Sequence, residues 1–149
     1  MLKQFYNYNN WANSLLLDTL KLNADLLPES CISLFSHIIN AQLIWSSRIN
    51  GITPNVTVWE LHDLDTCDKL LQKSIEMFSK IAYPETSDAS MIKYTNSVGD
   101  HFETSLSDIL LHVFNHGTYH RAQITKEMKS HNIKPVNTDY IQFLRLKSS

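Results

Sequence analysis

Ile109-Leu110-Leu111-His112-Val113-Phe114-Asn115-His116-Gly117-Thr118-Tyr119-His120-Arg121-Ala122-Gln123 is the stretch on which the reading of this chain turns. His112, His116 and His120 recur every four residues, so on a helix each imidazole lies one turn above the last, drifting by about 40° per step. Two successive members can face one metal ion. All three span about 12 Å along the axis, too far for a single ion whose histidine nitrogens sit at about 2.0 to 2.1 Å. A site on this helix therefore takes an i, i+4 pair and needs a third imidazole from a facing helix. His37 is the other histidine set deep in an apolar helical face, whereas His62, His101 and His131 fall in or near connections.

Upstream of the histidine helix, Ser105-Leu106-Ser107-Asp108 reads as a capping box, in which hydroxyl and carboxylate each satisfy a free backbone N–H. The helix it opens runs to about Ser130. Before it, Val98-Gly99-Asp100 separates Met91–Tyr94 from His101–Glu103 and predicts a short hairpin. A first amphipathic segment covers Leu2 to Leu22, with Phe5, Tyr8, Ala12, Leu15, Leu16 and Thr19 on one side, although Asn7, Asn9, Asn10 and Asn13 weaken its local propensity. A second starts after Pro28, carries Leu34, His37, Ile38, Ala41, Trp45 and Ile49 at helical spacing, and stops at Gly51. A polar connection from Ile52 to about Leu61 leads to a third, through Cys67, Leu71, Ser74 and Phe78, before Pro84. Thr138-Asp139 caps a short last helix, Tyr140 to Leu146. The expectation is an all-α chain: one four-helix bundle domain over residues 1–149, with sites formed by facing side chains in its interior.

Composition removes several functions. With 149 residues and only 3 glycines, neither a dinucleotide-binding G-x-G-x-x-G nor a Walker loop can be placed. A formal net charge of -2, with no adjacent basic residues, argues against nucleic acid as a partner. No apolar run approaches the length of a membrane span. Cys31 and Cys67, far apart and outside any C-x-x-C, read as reduced packed thiols, which points to a cytoplasmic location.

Three neutral imidazoles suit zinc, nickel, iron or copper and leave a coordination position for water or substrate, an arrangement for reaction rather than for structure. The alternative is a set of core histidines satisfied by carbonyls and amides. His116-Gly117 stands where an H-E-x-x-H protease has His-Glu, so that chemistry is not expected. Trp11 and Trp45 read as core or pocket-lining aromatics, and Arg121 as one half of a surface ion pair unless an anionic substrate recruits it. Gly117, inside a helix, costs about 1 kcal/mol relative to Ala. A side chain there is expected to obstruct close packing beside the site.

Asn115-His116-Gly117-Thr118-Tyr119-His120-Arg121-Ala122-Gln123 resembles the signature helix of the DinB/YfiT-like metalloenzymes. Tyr8-Asn9-Asn10-Trp11-Ala12-Asn13 is similar to that family's first-helix motif, and Leu34-Phe35-Ser36-His37-Ile38-Ile39-Asn40-Ala41-Gln42 with Trp45 to its second. Ala122 departs from the His-Arg-Gly-Gln of many members. The resemblance implies a bundle holding a divalent metal, nickel or zinc, on His37, His116 and His120. His112, Trp45, Tyr119, Arg121 and Gln123 are then the surrounding residues. It further implies a small-molecule substrate, a homodimer, and as activity a thiol-dependent S-transfer using bacillithiol, mycothiol or glutathione. The alternatives are a metal-dependent hydrolase and a non-catalytic, damage-inducible metal-binding protein.

Overall fold

The structure, a computed structural model, describes residues 1–84 and 90–149. Its elements are α1 (Leu2–Leu22), α2 (Glu29–Ile49), α3 (Leu64–Ser79), β1 (Met91–Thr95), β2 (His101–Ser105), α4 (Leu106–Ser130) and α5 (Tyr140–Lys147), with one 3-10 turn at Ala24–Leu26. Helices α1 and α2 each pack on both α3 and α4, making the bundle, and α5 closes over α1. The all-α four-helix expectation holds, as do the hairpin and the terminal helix.

Helix α1 turns a slightly different face inward than periodicity suggests. Tyr6, Asn9, Asn13, Leu17 and Leu20 are buried alongside Tyr8, Ala12 and Leu16, while Phe5, Leu15 and Thr19 are half-buried. The reason is polar. Asn9 Nδ2 donates to Gln42 Oε1 on α2 (2.7 Å), and Arg121 Nη1 of α4 donates to Asn9 Oδ1 (3.0 Å) and Asn13 Oδ1 (2.7 Å). The asparagines that weaken the helix locally thus tie three helices together, around an arginine only 2% exposed. Arg121 makes no ion pair among the described residues, contrary to its reading as a surface partner.

Below this clamp, Leu16, Leu20, Phe35, Ile39, Leu71, Ile124 and Met128 form the main apolar core. Above it, Tyr6, Phe78, Leu110, Val113 and Phe114 form a second. At the start of α4, Ser105 Oγ accepts from Asp108 N (3.1 Å) and donates its proton to Asp108 Oδ2 (2.6 Å). The carboxylate therefore satisfies the hydroxyl rather than a second backbone N–H. Helix α3 begins at Leu64 because Asp63 caps it, its carboxylate accepting from Thr66 N (2.7 Å). Asp139 stands at the N-cap of α5 without a side-chain capping bond. In the hairpin, Met91 pairs with Ser105 and Thr95 with His101, and Gly99 at φ +96° makes the turn that an L side chain resists. Strand β2 runs straight into α4 and so fixes where the histidine helix starts.

Gly117 lies under the clamp. A Cβ there would stand 2.8 Å from Asn9 Oδ1 and 2.9 Å from Arg121 Nη1, both held by hydrogen bonds in the interior. The obstruction is thus with the polar tie, not with helix backbone. Hydrogen bonds to a charged group contribute roughly 1.5 to 3 kcal/mol each, more than the roughly 1 kcal/mol by which Ala exceeds Gly in a helix. Gly117→Ala is predicted to lower unfolding free energy by on the order of 1 kcal/mol in urea titrations. A stabilised variant would contradict this.

Candidate metal centre

Helix α2 buries His37 on its inner face (6% exposed), opposite the His116 and His120 turn of α4. The three rings meet tip to tip. His37 Nε2 is 3.0 Å from His116 Nε2, and His120 Nε2 is 3.1 Å from the same atom. One ligand atom from each lies within 4.8 Å of the others, so the expected trio converges and could hold a single ion.

Proton accounting explains why this suits a cation. His37 Nδ1 is 2.9 Å from the Val58 carbonyl, which can only accept, so the neutral ring carries its proton at Nδ1 and leaves Nε2 a bare lone pair. His120 Nδ1 donates likewise to Gln123 Oε1 (2.6 Å), baring its Nε2. His116 can offer at most one Nε2 proton to two waiting acceptors. A divalent ion would satisfy all three lone pairs, and the outer hydrogen bonds orient the rings as they do in known histidine sites.

Burial also keeps His37 and His116 neutral. His116 is lowered from 6.5 to about 4, first by desolvation and then by the neighbouring His120, His37 and His112. His37 is lowered by desolvation, against the opposing pull of the Val58 carbonyl. Neutral imidazole is the form that ligates, so at His37 and His116 protons compete only weakly with an ion near pH 7.

The surrounding residues fall into four places. Gln123 holds His120. His112 sits one turn from His116, with ring centroids 5.7 Å apart, and leans edge-on against Trp45 at 5.4 Å. Tyr119, largely exposed, meets His120 edge-on at 5.0 Å. Arg121 points instead into the clamp with Asn9, Asn13 and Thr118.

Three contributors escaped the sequence reading. Trp59 stacks flat on His37, centroids 3.8 Å apart and planes at 7°. Its segment is pinned to α2 by Asn40, whose Nδ2 donates to the Glu60 carbonyl (2.8 Å) and whose Oδ1 meets His62 Nε2 (2.8 Å). The connection between α2 and α3 is therefore a strap that carries both the Val58 carbonyl and the Trp59 ring onto His37. A third tryptophan in an otherwise polar connection was the available signal.

A folded pKa of about 4 against 6.5 means that unfolded chains bind a proton at His116 that native chains refuse. Stability of the metal-free protein is thus predicted to fall as pH drops from about 6.5 towards 4, with His116 contributing up to about 3 kcal/mol. Urea titrations with chelator present should show a shallower fall for His116→Gln than for wild type. Equal slopes would contradict the assignment.

The sequence pattern of the DinB family matches residues 1–148. The chain is also similar to Protein DinB of Bacillus subtilis (strain 168), at 25% identity over 158 aligned residues that take in 95% of this chain and 92% of the relative. Among the described residues no helix is long and apolar enough to cross a membrane. The motifs on α1, α2 and α4, the bundle that joins them and these matches agree: the chain belongs to the DinB family.

Proposed function

We propose that this protein binds one divalent ion, nickel or zinc in the first instance and iron or copper as competitors, through His37, His116 and His120. We further propose that it joins a low-molecular-weight thiol to a small electrophile. The observation that carries the reading is the convergence of three Nε2 atoms, two of them bare lone pairs. A divalent ion on three imidazoles supplies Lewis acidity and lowers the pKa of a coordinated thiol or water.

The chain's own residues favour a thiol over water. Among the described residues no carboxylate takes part in the hydrogen bonds of the three histidines, so a carboxylate general base for activating water is missing from those contacts. A thiolate needs no further activation. The protein's own thiols are unsuited: Cys31 is buried and pushed up to about 11, and Cys67 is buried and raised as well. The sulfur comes from outside. His112, lowered by desolvation and therefore neutral at pH 7, takes the thiol proton at a ring nitrogen. The thiolate sulfur then forms a bond to the electrophilic carbon while the leaving group departs with its electron pair. Trp45, packed between His112 and Tyr94, offers the flat wall for the electrophile.

Protein purified without a His tag and incubated with nickel or zinc should hold about one ion per chain, and His37→Ala should lose it. Trp59→Ala should weaken binding by about tenfold, as removal of a supporting contact does. Metal retained by His37→Ala would overturn the ligand set. In a second assay, loaded protein is given bacillithiol, mycothiol or glutathione with a chloronitroaryl electrophile, and the thioether is followed by mass spectrometry. Conjugation that disappears in His116→Ala and falls by roughly 10²-fold in His112→Ala is expected. Stoichiometric metal with no conjugate from any thiol would return the protein to the non-catalytic reading.

A further inference from the structure

Arg48, in the last turn of α2, carries a charge that no described residue answers. Its guanidinium carbon stands over the rings of Trp45 (4.5 Å) and Tyr94 (5.2 Å), contacts that hold the group in place while leaving its N–H groups unspent. Among the described residues no carboxylate pairs with it and no side-chain or backbone oxygen accepts from it. Nor is it needed as a cap. Ser46 O already accepts from Asn50 N (3.1 Å) and Nδ2 (2.7 Å), Ser47 O from Ile52 N (2.9 Å), and Arg48 O from Gly51 N (3.2 Å). The side chain is half-buried, yet none of its nitrogens is sealed in the interior as Arg121 Nε is. A ligand can therefore reach them.

Arg48 lines a cavity of about 400 Å³ that lies between residues 51–54, which follow α2, and residues 93–95 of β1. The cavity shares no lining residue with the histidine centre, and no acid lines it. Lys93 brings a second cation, and its cross-strand neighbour Glu103 does not reach it as an ion pair. Thr53 adds a hydroxyl that makes no hydrogen bond among the described residues, and Ile52 and Pro54 add apolar surface. Burial holds Arg48 below its ordinary pKa, so part of its hydration is already lost. An anion beside it meets a charge less screened than one on open surface.

We propose that this cavity binds the phosphoryl group of a small phosphorylated ligand. Two cations without an acid match a group that carries a charge of about −2 near pH 7. The guanidinium fork takes two of its oxygens, and the Lys93 ammonium and Thr53 hydroxyl serve the third. A carboxylate, with one charge and two oxygens, leaves Lys93 and Thr53 unused. The carbon skeleton of the ligand packs on Ile52 and Pro54. Binding is independent of any ion on the histidines, because the two sites have separate walls.

The test is a titration of the folded protein, metal-free and zinc-loaded, with inorganic phosphate and with phenyl phosphate, read at the backbone amides of Gly51 and Thr53. Saturable shifts are expected, equal in both metal states, with acetate and chloride at matched ionic strength giving none. Arg48→Met keeps the stem packed on Trp45 and should weaken binding by about tenfold or more, the loss expected when hydrogen bonds to a charged group are removed. Lys93→Gln and Thr53→Val should each weaken it several-fold. Absence of a saturable shift with both phosphates would overturn the proposal, as would a response that requires zinc or one that acetate reproduces. So would full affinity in Arg48→Met or, if that variant does not fold, in the double variant Lys93→Gln, Thr53→Val.

Discussion

The hydrogen bond from His37 Nδ1 to the Val58 carbonyl fixes which nitrogen the histidine cluster presents at its centre. A carbonyl cannot donate, so the ring has one neutral tautomer available and its lone pair points at His116 and His120. Gln123 imposes the same choice on His120. Without these two outer acceptors, His37 and His120 could carry their protons at Nε2 and turn N–H groups rather than lone pairs towards His116. With them, two acceptors face one possible proton, and a cation would resolve the conflict.

That arrangement rests on the bundle being held in register. The polar tie of Asn9, Asn13, Gln42 and Arg121 joins α1, α2 and α4 one residue along from His120. A buried charge is expensive unless well satisfied, and here it is satisfied only by neutral amides and a hydroxyl. Such a tie specifies geometry more than it stabilises, because its donors accept no substitute arrangement without orphaning a charge. Gly117 is the opening that admits it. The glycine that looked anomalous on propensity is explained by a neighbour on another helix.

Much of the frame was legible from period and punctuation. Leu2–Leu22 and the hairpin follow from apolar spacing and from Gly99, and the start of α4 from Ser105. The pairing of His37 with an i, i+4 couple followed from the reach of one ion. What stayed hidden has a common cause: it depends on contacts between segments that no local pattern encodes. Val58 and Trp59 belong to a connection without periodicity and reach His37 only because Asn40 and Ser36 anchor the strap. Arg121 misled because its charge signals a surface and nothing local reveals the two acceptors on α1 that join Thr118 around it. The asparagines of α1 were read as a weakness for the same reason.

X-ray absorption at the metal edge of the nickel- or zinc-loaded protein tests the central claim most directly. The account predicts three imidazole nitrogens at about 2.0 to 2.1 Å in the wild type and two in His37→Gln. A spectrum with fewer than three imidazoles, or one that His37→Gln leaves unchanged, would contradict it.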